Sequence, residues 1–495
     1  MNRAQEFETQ DLFQPNPPDI RLIGTDALPA LDSLPERSVQ AVITSPPYWG
    51  LRDYGLPPSV WTPVEYVPMT GLPPIQVPAG MRGDDWADCD HDWGEWTERH
   101  ETREGVTAGK TRTSDRCYGE ASRRFNGAHH THIHGQFCQR CGAWRGCLGL
   151  EPDPHLYIGH LVQVLRAIRR VLRDDGTVWL NLGDSFTSGN RKHRDWDLTS
   201  KNETRTPHTY PPTPSGLKPK DLVGIPWRAA FALQADGWYL RSDIVWAKGV
   251  SFARNECGNA MPESVTDRPV RGHEFLFLLA KSEHYYYDHY AVQEAAVAKL
   301  QRRLTPRHSA RDQVMRTDKV YPYRLMDEPA RAQSRRNLRD VWRLNTRPFK
   351  GAHFAVFPPD LVRPALRAAT PEIGVCAVCG APWHRRTRRD AMVAQDPCRP
   401  DPRTGGVFST QGWDRTGMTH QQLSIWLAEH PEEHEGWVSG CSCGARTTPA
   451  LVLDPFAGAG TTGVVAREEG RAAILIEPKG DYREIIASRL GLARP

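Results

Sequence analysis

The chain has 495 residues, 39% hydrophobic and 25% charged, with a formal net charge of only +4. This composition fits a globular protein and excludes a polycation, so a nucleic-acid partner would need positive charge concentrated locally. No run approaches about 18 consecutive apolar residues, and the polar start MNRAQEFETQDLFQ lacks the apolar stretch of a signal peptide. The expectation is a cytoplasmic protein with no membrane partner, in which eleven cysteines, several in C-x-x-C or C-x-C pairs, favour metal ligation over disulfides.

In chain order, Ile20 to Ile23 reads as a short strand ending in Gly24-Thr25-Asp26, and Ala27 to Leu34 as a short helix. Val39 to Ile43 is a buried strand leading into Thr44-Ser45-Pro46-Pro47-Tyr48-Trp49. From Gly55 to Leu150, periodicity gives way to Pro, Gly, His and charge, as in a long insertion; its histidines at 129–134 read as a solvated loop. Periodicity returns with a helix from Leu156 to Leu172, the turn Asp175-Gly176 and a strand from Thr177 to Leu182. A helix over Leu222 to Leu233 and a strand over Tyr239 to Trp246 follow, and Glu274 to Ala280 and Tyr285 to Tyr287 read as two further strands. After a helix over Pro359 to Ala368, the end of the chain alternates strand, turn, helix, strand and helix from Leu451. The expected organisation is a catalytic core in parts (1–54, 151–294, 346–375 and 446–495), interrupted by insertions at 55–150 and 376–445 and a basic segment at 295–345.

Two motifs carry chemistry. Asp454-Pro-Phe456-Ala-Gly458-Ala-Gly460-Thr461-Thr-Gly463 follows a strand and opens a helix, and its glycines match G-x-G-x-x-G. Glycines there let the backbone pass close to a nucleotide-like ligand. Glu477 ends the next strand, where a carboxylate can grip both ribose hydroxyls. Only 32 residues follow Gly463, too few for a complete dinucleotide fold, so the remaining strands must come from upstream. The second motif, Ser45-Pro46-Pro47-Tyr48, closes such an upstream strand. Two prolines remove N–H donors and stiffen the backbone, leaving the Ser45 hydroxyl and the Pro46 carbonyl as fixed acceptors beside an aromatic ring. Two acceptors pulling on the N–H bonds of an aromatic amine free its lone pair for a methyl electrophile, while Tyr48 can stack on an extruded base.

In this order the motifs resemble the β-group of amino DNA methyltransferases, in which S-P-P-Y precedes F-x-G-x-G. The resemblance covers roughly half the chain: RLIGTDAL, TSPPYWGLRDYG, NLGDS (181–185), PESVTDRP (262–269), HEFLFLLAKSEHYYYD (273–288), HFAVFP (353–358) and VLDPFAGAGTT (452–462). It implies an α/β, Rossmann-like S-adenosylmethionine-dependent methyltransferase fold with circularly permuted motif order. It also implies a cofactor site made by Asp26 near the adenine, Asp454, Phe456, Gly458, Gly460 and Thr461 around the methionine end, and Glu477 on the ribose. His353, Phe354 and Phe357 would close over the cofactor. The expected partner is double-stranded DNA, and a cognate restriction endonuclease is left open. The expected target is the N4 amine of cytosine; N6 of adenine is the alternative, and a zinc-containing DNA-binding protein without catalysis is the reading from another class. Pro397-Cys398, the only Pro-Cys pair, lies in an insertion and is discounted as a C5-cytosine nucleophile.

Cys89-x-His91 pairs with Cys138-x-x-Cys141 across 46 residues, and Cys376-x-x-Cys379 with Cys441-x-Cys443 across 61. Each set offers four ligands suited to structural Zn²⁺. In three of the four half-sites the last cysteine precedes Gly-Ala, which permits a tight turn. Residues 295–345 hold thirteen Lys/Arg against five Asp/Glu, where related enzymes keep their target-recognition region. Arg302, Arg303, Arg307, Arg335, Arg336 and Arg339 are therefore the candidate DNA contacts.

Overall fold

Strands that bury both faces organise the protein, as parallel sheets require. The computed structural model describes residues 18–50, 54–78, 88–95, 97–101, 130–187, 213–214, 216–251, 265–295, 335–346, 356–388 and 433–493. One sheet contains β1 (Ile20–Ile23), β2 (Val39–Thr44), β3 (Leu172–Leu182), β4 (Tyr239–Ala247), β5 (His273–Ala280), β6 (Val341–Arg343), β7 (Leu451–Asp454) and β8 (Ala472–Ile476). Their spatial order is β1-β8-β7-β2-β3-β5-β4-β6. Neighbours from β1 to β3 are parallel, β5 is antiparallel to both β3 and β4, and β6 is parallel to β4.

The late strand β7 therefore lies mid-sheet against β2, with Leu453 opposite Val42. This is the permuted, Rossmann-like order expected from the motifs: the strand before the glycine turn and the strand before Ser45 are neighbours although some 400 residues separate Thr44 from Asp454. All six residues of β2 are buried. Five parallel strands align their carboxyl ends along one edge, where open α/β sheets bind ligands.

Helices cover the faces: α1 (Ala27–Asp32), α2 (Pro154–Val171), α3 (Ile225–Ala235), α4 (Pro359–Ala369), α5 (Thr461–Glu468) and α6 (Gly480–Leu490). The Asp153 side chain caps α2 by accepting from the His155 N–H at 2.7 Å, and Pro154 sits in the first turn, where its missing N–H costs nothing. No helix among the described residues is long and apolar enough to cross a membrane.

The chain divides into two compact units: Met1–Tyr286 with Asp340–Ala369 and Pro449–Pro495, and Tyr287–Arg339 with Thr370–Thr448. The whole large sheet belongs to the first. The second contains short antiparallel ladders, the longest pairing Trp383–Arg388 with Glu433–Ser439.

Two local expectations are corrected. Within 55–150, a four-stranded sheet joins Ser59–Trp61, Trp144–Gly146, His130–Phe137 and Thr97–Glu101, so most of the histidine-rich stretch is strand backbone rather than loop. Its strand pairing comes from partners distant in sequence, which local periodicity does not register. Tyr285–Tyr287 is not a strand; β5 already has a neighbour on each side, and Tyr286 instead donates its N–H to the Asp175 carbonyl at 2.8 Å.

A hairpin from the same insertion, Val64–Tyr66 with Ile75–Val77, packs onto α2 at Gly159. A Cβ there would lie 2.6 Å from side-chain carbons of both Val64 and Val77, which are buried. Gly159→Leu is expected to destabilise the first unit by about 1–3 kcal/mol through overpacking, measured by chemical denaturation; an unchanged midpoint would remove this contact from the core.

Candidate active site

The loops after β2 and β7, the end of β8 and the residues before α4 line one cleft. Its walls include Ser45, Pro46, Pro47, Tyr48, Phe357, Phe456, Gly458, Thr461 and Glu477, all expected from sequence. Tyr54, Leu56, Lys479 and Tyr482 also line it and were not singled out.

Asp454 lies beneath this cleft with no solvent exposure. It accepts from the Thr44 hydroxyl at 2.6 Å, the Thr462 hydroxyl at 2.7 Å and the Phe456 N–H at 3.1 Å. Burial pushes its carboxyl up to about 6 against the opposing pull of those three donors. Gly458 and Gly460 adopt φ of +54° and +74°, the left-handed region that favours glycine. The Gly458 N–H donates to one Glu477 oxygen at 2.9 Å and the Lys479 N–H to the other at 2.9 Å. Burial nonetheless drives the Glu477 carboxyl up to about 7. Gly463, third in the glycine pattern, lets α5 approach β8: a Cβ there would lie 2.5 Å from Leu475.

The Ser45–Tyr48 loop is held from several directions. Tyr157 donates its hydroxyl to the Pro47 carbonyl at 2.8 Å, and the Trp49 indole donates to the Glu151 carbonyl at 2.9 Å. Among the described residues nothing donates to the Pro46 carbonyl. Ser45 and Pro46 both line the cleft. The Tyr48 hydroxyl lies 3.0 Å from Asn181 Oδ1 and 2.8 Å from Glu274 Oε2, and Glu274 also pairs with Lys248. Asn181, Glu274 and Lys248 were not named as site residues; Asn181 and Glu274 fall inside the quoted motifs, but only the fold brings them to Tyr48.

The cleft gathers both motifs at one sheet edge, and sequence comparison decides the family. The DNA methylase pattern of the N6/N4 type matches residues 39–377 and 448–488. The chain belongs to the N6/N4 DNA methylase family. Its relatives include Type II methyltransferase M.XycI of Xanthomonas campestris pv. cyanopsidis, 36% identical over 74% of this chain and 80% of that one. M.Cfr9I of Citrobacter freundii is 37% identical over 70% and 72%, and M.SmaI of Serratia marcescens 30% identical over 98% and 94%.

Other expected site residues of this DNA methylase are placed as follows. Asp26 lies three residues after β1, at the start of α1, and accepts from the Ser59 hydroxyl at 2.5 Å; it does not line the cleft. Asp454 and Gly460 support the cleft without lining it. His353, Phe354, Arg302, Arg303, Arg307, Pro397 and Cys398 lie outside the described residues. Arg336 and Arg339 both pair with Glu294 at 2.9 Å, and Arg335 lies over the Tyr290 ring at 5.4 Å.

Both cysteine sets converge. Cys89, His91, Cys138 and Cys141 bring their ligand atoms within 4.8 Å of one another, as do Cys376, Cys379, Cys441 and Cys443. Gly142, Gly380 and Gly444, each following a cluster cysteine, take φ of +74°, +69° and +63°. Burial would raise the Cys138 thiol, but the N–H groups of Cys141 and Arg140 and the His91 ring outweigh it and bring it down to about 6. The Ser439 hydroxyl and the Cys443 N–H bring Cys441 to about 6 as well.

Proposed function

We propose that this DNA methylase transfers a methyl group from S-adenosylmethionine to the exocyclic N4 amine of a cytosine extruded from duplex DNA. The observation that carries the reading is that Ser45 and Pro46 line the same cleft as the glycine loop and Glu477. The residues fit the cofactor: Glu477 offers two acceptor oxygens for a ribose, and Phe357, Phe456 and Tyr482 supply aromatic walls. When bound, S-adenosylmethionine supplies an electrophilic methyl on a sulfonium. Ser45 Oγ and Pro46 O take the two N–H bonds of the target amine, weakening the delocalisation of its lone pair into the ring. Tyr48 offers a ring face to the extruded base. Asp26 belongs to the adenine side of the cofactor, and His353, Phe354 and Phe357 to its cover. The basic stretch 295–345 supplies phosphate contacts. The Type II names of the relatives support a place in restriction and modification, with an endonuclease as counterpart.

Cytosine is favoured over adenine because Ser45 stands where adenine-directed relatives usually carry an aspartate, and Trp49 follows it. Mass spectrometry of nucleosides from methylated duplex DNA is expected to find N4-methylcytosine; N6-methyladenine alone would overturn the choice. Ser45→Ala is expected to lower turnover about 100-fold while leaving DNA and cofactor binding unchanged, because the lost acceptor acts on charge developing in the transition state.

Glu477 makes cofactor affinity depend on pH. Its carboxyl, raised to about 7 when the cleft holds no ligand, is protonated between its ordinary 4.5 and that value, and only the ionised form accepts from two hydroxyls. Affinity for S-adenosylmethionine is therefore expected to weaken as pH falls below 7, by roughly tenfold per pH unit, and to be level above it. Calorimetry across that range tests this; Glu477→Gln is expected to bind weakly with no such slope.

The two cysteine sets are assigned to structural Zn²⁺. Tetrahedral Zn–S bonds of about 2.3 Å place sulfurs about 3.8 Å apart, and Cys89 Sγ and Cys138 Sγ are 3.9 Å apart. Metal analysis is expected to find about two zinc ions per chain, and Cys379→Ser to lose one and destabilise the second unit selectively. Metal-free protein with unaltered unfolding would overturn the assignment.

A further inference from the structure

Ser45 can act on an amine as an acceptor only if its own hydroxyl hydrogen points elsewhere. A serine hydroxyl rotates freely unless a partner fixes it. The partner within reach is the Tyr48 hydroxyl, at 3.3 Å from Ser45 Oγ. That phenol has a single hydrogen and two acceptors beside it. Asn181 Oδ1 lies at 3.0 Å, its amide oriented by donation from Nδ2 to the Phe275 carbonyl at 3.0 Å. Glu274 Oε2 lies at 2.8 Å, with the other Glu274 oxygen paired to Lys248. Neither neighbour can donate to Tyr48 in these forms, and the ionised oxygen is the stronger and nearer acceptor. Burial and the Glu274 carboxylate together push the Tyr48 phenol well up from its ordinary range, so it stays a donor. The ring itself is seated on Gly183, where a Cβ would come within 2.5 Å of its edge carbon.

We propose that Glu274, held by Lys248, is a positioning residue that sets the direction of the hydrogen-bond chain Glu274–Tyr48–Ser45. The carboxylate takes the Tyr48 hydrogen, which leaves Tyr48 Oη able only to accept. Ser45 then donates to Tyr48, away from the cleft, and its lone pairs face the substrate. Glu274 does not touch the base. Lys248 holds the carboxylate in place, and is itself placed over the Trp246 ring at 4.4 Å. The inference rests on the reading of Ser45 as an acceptor for the target amine and adds what makes it one.

Glu274→Gln tests it. Lys248 would retain the amide oxygen of the new side chain, turning its NH₂ group toward Tyr48 and reversing the chain. Turnover of the full-length enzyme on duplex DNA is expected to fall roughly 10- to 100-fold, with affinities for DNA and S-adenosylmethionine unchanged. Tyr48→Phe, which leaves the Glu274–Lys248 pair intact, is expected to cause a similar fall, and Glu274→Gln in that background to add nothing. Losses that multiply in the double variant, or full turnover in Tyr48→Phe, would overturn the proposal. A Ser45→Ala enzyme that keeps wild-type turnover would instead overturn the underlying reading of the site. Loss in Ser45→Ala with none in Glu274→Gln would leave that reading standing and remove only the role of Glu274.

Discussion

Asp454 joins the two halves of the catalytic edge. Its buried carboxylate binds Thr44 at the end of β2, Thr462 in the first turn of α5 and the Phe456 N–H in the glycine turn. The residue before Ser45 and the glycine turn are thus fixed to the same carboxylate. A buried carboxylate without partners would be costly, and three donors make it tolerable and directional. The spacing between the glycine turn and the Ser45 loop is therefore held through one side chain.

The insertion at 55–150 takes part in the same positioning. Glu151 accepts from the Gly149 N–H at 2.8 Å, and its backbone carbonyl receives the Trp49 indole. Its other carboxylate oxygen meets His160 Nδ1 at 2.8 Å, and both side chains are almost fully buried. The His160 ring lies between Trp61 and Trp144, with centroids at 4.6 and 5.3 Å. Those tryptophans come from strands of the small sheet, so the insertion buttresses the loop carrying Ser45. The value of this buried hydrogen bond is orientation.

These relationships explain what could be read in the sequence. Motifs whose function depends on local backbone, Ser45–Tyr48 and Phe456–Gly460, were legible because proline and glycine state their geometry directly. The central strands and α2 were legible from burial patterns over neighbouring residues. The small sheet was not, since Ser59–Trp61 pairs with Trp144–Gly146 and each run is too short to show a period. Asn181, Glu274 and Lys248 were invisible as a group for the same reason: each belongs to a different stretch, and only the antiparallel pairing of β5 with β3 and β4 brings them to Tyr48. Arg336 and Arg339 show the converse, since counting charge along the chain could not reveal that one carboxylate, Glu294, holds both.

The second unit is built on other terms. Among its described residues only Val292, Val375, Cys376 and Ala381 are buried apolar side chains. The strand Trp383–Arg388 alternates between half-buried and exposed positions and so has little to contribute to a core. Arg385 fills the centre instead, between Asp288 at 3.0 Å and Glu372 at 2.9 Å and over the rings of Trp437 at 4.3 Å and Tyr290 at 5.1 Å. Small units without an apolar core need a cross-link of some kind, and the four convergent cysteines lie here. The family pattern stops at residue 377 and resumes at 448, so three of those four cysteines fall in sequence the family does not specify. The described residues of this unit thus hold together through ion pairs and ring contacts around Arg385 more than through buried apolar side chains.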